Sequence, residues 1–268
     1  MSLALLLLTT AAGLSAAMTG AWALQRCTGQ SGWIDAIWSF AIGAAGVALA
    51  LSPLDGYDSG PRQYLVAAVV FASSLRLGVH IVARSFNAGE DPRYLALALE
   101  WGPDFPGRLF WFLQIQAACA FLLSLAVFFA ARNPTGFPAA TDWLGGVLSI
   151  VATAGEAWSD AVLARFRARR GTGRGVCMEG PWAYSRHPNY FFQWLGWLGV
   201  AVIAIDLGGA WPQGYAALLA PAFMYWLLAY MSGVPPLEKH MLASRGEAFR
   251  AYQARVNVFF PGPSKRPN

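Results

Sequence analysis

Ionisable side chains recur inside the longest apolar segments of the chain, at spacings that put them on common helix faces. Arg76, His80 and Arg84 follow one another every four residues, and Glu156 and Asp160 do the same. Residues four apart share one side of an α-helix. A charged side chain in hydrocarbon is costly unless it is paired or faces water, so these residues indicate a functional site. The alternatives are that they tie helices together or, for Arg84, that the side chain snorkels to the membrane surface.

Other polar residues stand where apolar segments begin or end. Asp35 opens the second segment, His187 and Asn189 precede the sixth, and Glu238 and His240 follow the seventh. If these segment ends lie on the same side of a helix bundle, their carboxyl, imidazole and amide groups lie close together. We therefore expect a polar cavity that opens on that side.

Two connecting segments carry further charge. FNAGEDPRYLALALEWGPDFPG brings Glu90, Asp91 and Arg93 close together, and RFRARRGTGRGVCMEGPWAYSRHPNYFFQW is rich in glycine and arginine. Five of its arginines are Arg165, Arg167, Arg169, Arg170 and Arg174. Planar guanidinium groups in a flexible segment suit phosphate oxygens. No G-x-G-x-x-G follows a strand, so a nucleotide would have to be held by the bundle and its loops rather than by a Rossmann domain.

The composition excludes most soluble classes. Of the 268 residues, 56% are hydrophobic and 12% are charged, whereas about 25% are charged in ordinary globular proteins. So few charges cannot cover a soluble surface, which argues against a soluble enzyme, a disordered tail protein and a nucleic-acid binder. The three cysteines, Cys27, Cys119 and Cys177, lie far apart. Their spacing indicates neither a disulfide framework nor a zinc site, and no other metal site is expected.

Long apolar stretches predict an all-α, polytopic membrane bundle that forms a single domain over residues 1–268. Seven stretches approach the roughly 20 residues that a helix needs to cross a bilayer. They cover residues 2–24, 34–52, 63–83, 109–130, 142–162, 190–206 and 213–232. The first has no Lys or Arg ahead of it, so we expect a membrane span there rather than a secretory signal.

The placement of basic residues predicts the orientation of this bundle. One side receives Arg26, Arg84, Arg93, Arg108, the arginines of residues 165–174, Arg186 and every basic residue after Lys239. The opposite side holds Arg62 and Arg132 beside four aspartates. Cytoplasmic loops carry such an excess of Lys and Arg. The N-terminus is therefore predicted outside, and the net charge of +5 reports topology rather than nucleic-acid binding.

Several motifs carry a resemblance to a known family. They are EDPRY at 90–94, GEAWSD at 155–160, GPWAYSRHPNYFF at 180–192 and SGVPPLE at 232–238. In this order they resemble the steroid 5α-reductase-like family of bacterial membrane proteins, which groups with the C-terminal domain of the 3-oxo-5α-steroid 4-dehydrogenases. RHPNY also occurs in isoprenylcysteine carboxyl methyltransferases. SGVPPLE and the Glu156/Asp160 pair favour the reductase branch.

The resemblance implies seven membrane helices and an NADPH site on the cytoplasmic side, built by the loop at 163–189 and the tail at 235–268. The cofactor-binding residues that it implies, together with neighbouring polar groups, are Arg84, Asp160, Arg167, Arg174, Tyr184, Arg186, His187, Asn189, Tyr190, Gln193, Glu238 and His240. Where the family has Gly-Glu after the aromatic pair of its motif, this chain has Phe192-Gln193. Gln193 keeps hydrogen-bonding capacity but not the charge.

The catalytic candidates are Asp35 and Glu156. Reduction of an activated C=C bond needs hydride delivery to the β-carbon and a hydrogen-bond donor at the carbonyl oxygen, where negative charge develops. Family reductases use a Glu on the second helix and a Tyr on the third, whereas this third segment has no Tyr after Tyr64. A neutral carboxyl group in a dry pocket can donate instead. For Asp35, a helix cap is the alternative.

The sequence therefore favours an NADPH-dependent reductase of a lipophilic enone that enters from the bilayer, in a bacterial inner membrane. An S-adenosylmethionine-dependent methyltransferase of a membrane-embedded substrate is the second hypothesis, although five arginines fit a dinucleotide phosphate better. A transporter or scaffold is the third, and it predicts no nucleotide site. Membrane lipids are the expected surroundings, and no obligate protein partner is indicated.

Overall fold

The protein is all-helical, as the apolar segments predict. The computed structural model describes residues 1–54, 60–87, 91–170 and 175–264, without the side chains of Asn87 and Arg170. About four fifths of the described residues, 81%, are helical, and these residues contain no strand. One isolated bridge pairs Ser185 with Asn257. Arg174, an expected phosphate ligand, lies outside the described residues.

Within these ranges the chain forms ten α-helices. They are α1 (Leu3–Thr28), α2 (Ile34–Leu51), α3 (Pro61–Asn87), α4 (Pro92–Trp101), α5 (Phe105–Ala131), α6 (Ala140–Arg170), α7 (Pro188–Ala204), α8 (Leu219–Trp226), α9 (Val234–Arg245) and α10 (Glu247–Arg255). Short 3₁₀ turns at Gly102–Asp104, Gly180–Ala183 and Pro212–Leu218 connect some of them, and a π-helical turn at Leu227–Met231 follows α8.

Six helical segments of the described chain are long and apolar enough to cross a membrane, which indicates an integral membrane protein. They are Leu3–Thr28, Ile34–Leu51, Pro61–Phe86, Pro92–Ala131, Ala140–Arg169 and Pro212–Arg245. The sixth predicted span, at 190–206, corresponds to α7, which is not among these six segments. With 17 residues, α7 lies at the lower limit for a transmembrane helix. Its role as a span therefore stays a prediction.

Local signals explain where several helices begin and end. The Ser2 hydroxyl accepts a hydrogen bond from the Leu5 N–H and caps α1, which ends at Gly29 with a φ of 72°. Glycine adopts this left-handed conformation without a steric penalty. Asp91 caps α4 by accepting from the Arg93 N–H, and Pro92 occupies the first helical position, where no N–H is needed.

The chain divides into two compact units. The first unit comprises Met1–Val147 and Leu198–Ala220, and the second unit comprises Leu148–Trp197 and Pro221–Asn268. In the first unit, α2 and α3 pack closely because small residues line their contact. A Cβ at Gly43 would overlap the Ser74 side chain, and one at Gly46 would overlap Val70.

A buried ion pair anchors one end of the first unit. Arg62 donates from Nε and Nη2 to the two carboxylate oxygens of Asp142, each at 2.7 Å, and Nη1 donates to the carbonyl oxygens of Asn133 and Thr135. Arg62 is 4% exposed and Asp142 2% exposed. Bidentate geometry and added carbonyl acceptors are what a buried pair needs to offset its desolvation. Arg62 therefore has a structural role in addition to its place in the charge asymmetry.

In the second unit, α6 and α7 come into close contact at Gly155, where a Cβ would overlap the Phe192 ring. Phe259, near the C-terminus, is fully buried and makes edge-on ring contacts with Phe191 and Tyr225. This packing holds the end of the described chain against the helices of its own unit.

Helix α6 is longer than the predicted segment at 142–162. It runs from Ala140 to Arg170, so the connecting segment before α7 is shorter than the predicted loop at 163–189. Alanine and arginine have high helix propensity, and arginine stems can pass along apolar surface while their charged ends reach water. The basic residues of this stretch therefore extend the helix instead of ending it.

Candidate functional site

Glu156 and Asp160 of α6 both lie in the second unit. Glu156 is 5% exposed and Asp160 8% exposed, which confirms that the two share an inward face. With its amide nitrogen turned toward the carboxylate, Gln193 of α7 donates to the two oxygens of Glu156 at 3.1 and 3.2 Å. The sequence-predicted Glu156 and Gln193 are thus brought together.

One helical turn further along, Asp160 meets the first turn of α7. The Asn189 amide nitrogen lies 3.4 Å from Oδ1 of Asp160, and Oδ1 of Asn189 accepts from the Tyr190 N–H at 3.1 Å. The RHPNY segment is positioned by Trp182, whose indole N–H donates to the Ser159 carbonyl oxygen at 2.9 Å. Two carboxylate–amide pairs therefore follow each other along the contact between α6 and α7.

The carboxylate of Glu238, on α9, accepts hydrogen bonds from three side chains. Its Oε1 accepts from Nε of Arg186 at 2.8 Å and lies 2.9 Å from Nε2 of His187. Its Oε2 accepts from the Gln253 amide at 2.6 Å and from Nη2 of Arg186 at 3.3 Å. A carboxylate with this many donors stays ionised and is fixed in position. Glu238 therefore links the RHPNY segment to the C-terminal helices.

Arg186 is held on its other side by the C-terminal backbone. Nη1 donates to the carbonyl oxygens of Gln253 and Val256 at 3.1 and 2.7 Å, and the Arg186 N–H donates to the Asn257 carbonyl. The Tyr252 hydroxyl donates to the Trp182 carbonyl oxygen at 2.7 Å. These hydrogen bonds, most of them donated by Arg186, hold the C-terminal segment against the RHPNY segment. The predicted part of Arg186 in cofactor binding stays a prediction.

His187 is enclosed between these groups. It is 3% exposed, and its ring stacks on that of Tyr190 with 5.4 Å between the ring centroids. Burial lowers the pKa of His187, although the hydrogen bond and the charge of Glu238 act in the opposite direction. Nδ1 is buried, and the described part of the chain offers it no hydrogen-bond partner.

The other expected cofactor ligands of the second unit lie at its surface. Arg167, Tyr184 and His240 are exposed. Arg169 forms an ion pair with Glu179, which had not been singled out from the sequence. The structure thus separates a buried set of predicted residues from an exposed set. Glu156, Asp160 and His187 are buried, whereas Asn189, Gln193 and Glu238 are half-buried.

Asp35 lies in the first unit, within a polar cluster of its own. It forms an ion pair with Arg93, and its Oδ1 accepts from the Tyr94 hydroxyl at 3.2 Å. The Gln116 amide nitrogen lies 3.4 Å from the Tyr94 hydroxyl oxygen. The helix-cap alternative for Asp35 is wrong, because Trp33 occupies the N-cap position of α2.

Tyr94 is the residue that sequence reasoning missed in this cluster. It is 3% exposed and belongs to the EDPRY motif, where attention fell on the charged residues. The resemblance predicts a tyrosine in the third apolar segment, whereas the tyrosine beside Asp35 belongs to α4. The signal that could have found it is the position of Tyr94 next to Arg93, at the start of an apolar helix.

Arg84 stands apart from this cluster. It is half-exposed, and its Nη2 lies 3.9 Å from Oδ2 of Asp91. Burial alone would raise the pKa of Asp91, but the hydrogen bonds and charge of Arg93, with a smaller effect of Arg84, hold it below its usual value. Arg84 therefore contributes to the electrostatics at the start of α4, which agrees with a residue at the membrane boundary.

The comparisons with known proteins place this chain in a family. A family profile described as "Protein of unknown function (DUF1295)" matches residues 21–256. The chain belongs to the DUF1295 family. No curated protein and no solved structure matches it.

The DUF1295 match contains both polar clusters. Its range includes Asp35 and Tyr94 of the first unit. It also includes Glu156, Asp160 and Glu238 of the second unit. It ends at Val256, so the tail that follows lies beyond it. In that tail, the Phe259 carbonyl oxygen accepts from the Ser185 hydroxyl at 2.8 Å and thereby supports the RHPNY segment.

Proposed function

We propose that this DUF1295 protein is a membrane-embedded, NADPH-dependent reductase of a C=C bond in a lipophilic, steroid- or lipid-like enone. The observation that carries the proposal is the group of buried and half-buried polar side chains in the second unit. Glu156 pairs with Gln193 and Asp160 pairs with Asn189 where α6 meets α7, and the buried imidazole of His187 lies two residues before Asn189. Buried ionisable groups in a membrane helix favour a ligand site over passive packing.

The chemistry of this donor and acceptor set fits a dinucleotide. The Asp160 carboxylate suits ribose hydroxyls, the Asn189 amide offers both a donor and an acceptor, and Nδ1 of His187 is a buried atom without a partner in the described chain. The exposed guanidinium of Arg167 suits phosphate oxygens. These residues would hold NADPH, which supplies the hydride when it is bound.

The second unit also supplies a candidate for the other half of the reaction. Negative charge develops on the carbonyl oxygen of an enone during reduction, and a fixed donor stabilises it. Glu156, buried beside Gln193 in the same unit as the proposed nucleotide site, is the candidate donor in its neutral form. Asp35, the other catalytic candidate, orients the Tyr94 hydroxyl within the first unit.

The proposed setting follows from the charge asymmetry. Arg165, Arg167 and Arg169 are exposed at the end of α6, where cytoplasmic loops carry basic residues. We therefore propose a cytoplasmic nucleotide site, a seventh span formed by α7 and an outward N-terminus, in a bacterial inner membrane. An apolar substrate would reach the enzyme from the bilayer.

Ligand-induced thermal stabilisation of the detergent-solubilised protein tests the cofactor class. A ligand at about a hundred times its Kd adds about 2.7 kcal/mol of stability. We expect this shift with NADPH and none with S-adenosylmethionine. A shift with S-adenosylmethionine alone would replace the reductase by the methyltransferase, and a shift with neither would favour a transporter or scaffold.

Variants of α6 then locate the site. We expect Asp160→Ala and Arg167→Ala to fold normally and to lose the NADPH shift. Arg165→Ala is the matched control, because Arg165 is also exposed on α6 and two residues away. Oxidation of NADPH in the presence of 3-oxo-Δ4-steroids and other lipophilic enones then measures turnover.

A further inference from the structure

We infer that Nδ1 of His187 accepts a hydrogen bond from an N–H or O–H group of the bound nucleotide. This inference rests on the proposed nucleotide site and names one atom of it. His187 is 3% exposed, and its Nδ1 is a buried polar atom without a hydrogen-bond partner in the described chain. Buried polar side-chain atoms are nearly always hydrogen-bonded in folded proteins, so an atom of this kind is suited to a ligand.

The surroundings of Glu238 decide which nitrogen of the ring carries the proton. Glu238 accepts from Arg186 through both oxygens and from Gln253 through Oε2. These donors keep the carboxylate ionised, and an ionised carboxylate can only accept. The 2.9 Å contact with Oε1 therefore requires a proton on Nε2 of His187. In the neutral ring, Nδ1 is then a lone-pair acceptor.

The same groups hold this acceptor in a fixed direction. The Glu238 bond fixes one edge of the imidazole, and stacking on Tyr190, with 10° between the ring planes, fixes its face. The His187 N–H also donates to the Ser185 hydroxyl at 3.1 Å, which sets the backbone at the entry of α7. A pre-oriented acceptor gains affinity because little rotational freedom is lost when the ligand binds.

The matching ligand group is a neutral hydrogen-bond donor. On NADPH such donors are the carboxamide N–H of the nicotinamide, the amino group of the adenine and the ribose hydroxyls. A phosphate group is excluded as the partner of Nδ1, because a phosphate oxygen is an acceptor and would face another lone pair. His187 therefore recognises the sugar or the base of the nucleotide, while cationic side chains remain available for phosphates.

Two substitutions separate this role from the structural bond to Glu238. In His187→Gln the amide nitrogen can take the place of Nε2 and donate to Glu238, but no acceptor stands where Nδ1 was. In His187→Asn the amide oxygen can take the place of Nδ1, but the bond to Glu238 is lost. Loss of one hydrogen bond to the ligand corresponds to a roughly tenfold change in Kd.

We expect His187→Gln to melt close to the wild type and to bind NADPH about tenfold more weakly. His187→Asn should melt at a lower temperature but keep its Kd for NADPH near that of the wild type below its melting range. Equal NADPH affinity in the wild type and His187→Gln would overturn the inference. So would a loss of affinity in His187→Asn with none in His187→Gln.

Two further ligands identify the source of the donor and separate this inference from the proposed function. The reduced 3-acetylpyridine analogue of NADPH lacks the amide N–H. If His187→Gln weakens binding of NADPH but not of the analogue, the donor is the carboxamide. If it weakens binding of both, the donor is a ribose hydroxyl or the adenine amino group. A third result is that the wild type binds S-adenosylmethionine and not NADPH, that His187→Gln weakens this binding and that His187→Asn does not. This result would overturn the reductase and keep the His187 assignment. A wild-type protein that binds none of the three would overturn both.

Discussion

The Tyr94 hydroxyl donates to Oδ1 of Asp35 across 59 residues of sequence, with 3.2 Å between the two oxygens. Arg93, the neighbour of Tyr94, forms an ion pair with the same carboxylate. Asp35 thus fixes both the charge balance and the direction of a buried hydroxyl group. This relationship gives the first unit a polar centre that its apolar helices alone do not suggest.

Tyr94→Phe should lower the free energy of unfolding by about 1 kcal/mol, because it removes the hydrogen bond from the buried Tyr94 hydroxyl to Asp35. The midpoint of thermal unfolding in detergent measures this effect. Tyr64→Phe is the matched control, since Tyr64 is an exposed residue of α3. Equal melting temperatures in the two variants would show that this hydrogen bond does not stabilise the first unit.

Glu238→Ala should destabilise the protein by about 3 kcal/mol, because it leaves Arg186 and His187 without the buried carboxylate that they share. The midpoint of thermal unfolding in detergent measures this effect. Glu247→Ala is the control, since the exposed pair of Glu247 with Arg250 should contribute little. If the two variants melt alike, Glu238 does not anchor the tail.

The stability of the protein should fall when the pH drops below about 6.5, the usual pKa of histidine in an unfolded chain. Burial lowers the pKa of His187 in the folded state. As the pH falls, the unfolded chain therefore binds a proton at this histidine before the folded protein does, which favours unfolding. Above that pH both states hold neutral imidazole, and the effect vanishes. Thermal melts between pH 5.5 and 8 should show a steeper loss for the wild type than for His187→Gln. Equal slopes would mean that His187 is not the group responsible.

Arg62→Ala should cost about 3–5 kcal/mol of stability and leave the Kd of NADPH unchanged, because it strands the Asp142 carboxylate inside the first unit. Thermal melts with and without NADPH measure both quantities. Arg108→Ala removes the exposed pair with Asp104 and should have little effect. A weaker Kd in Arg62→Ala at a temperature where the variant is folded would link this ion pair to the nucleotide site.

The four-residue spacing of polar side chains predicted one inward face of α6 in the second unit. Four-residue spacing put Glu156 and Asp160 on one helix face, and both prove to be buried. It could not name Gln193 and Asn189 as their partners, because helical spacing fixes the direction of a side chain and not the helix that lies opposite. The predicted segment at 142–162 was also too short, because it ended before the arginines that begin at Arg165, whereas arginine continues a helix.

The sequence by itself determined that this protein is all-helical, that several of its helices are apolar enough for a membrane and that its ionisable residues collect near helix ends. Tertiary structure alone decided that Glu238 faces His187, 51 residues away, and that Tyr94 faces Asp35. The physical reason is the range of the forces involved. Hydrophobic burial follows composition and local period, whereas a hydrogen bond needs two atoms within about 3 Å and a defined angle, which only the packed chain provides.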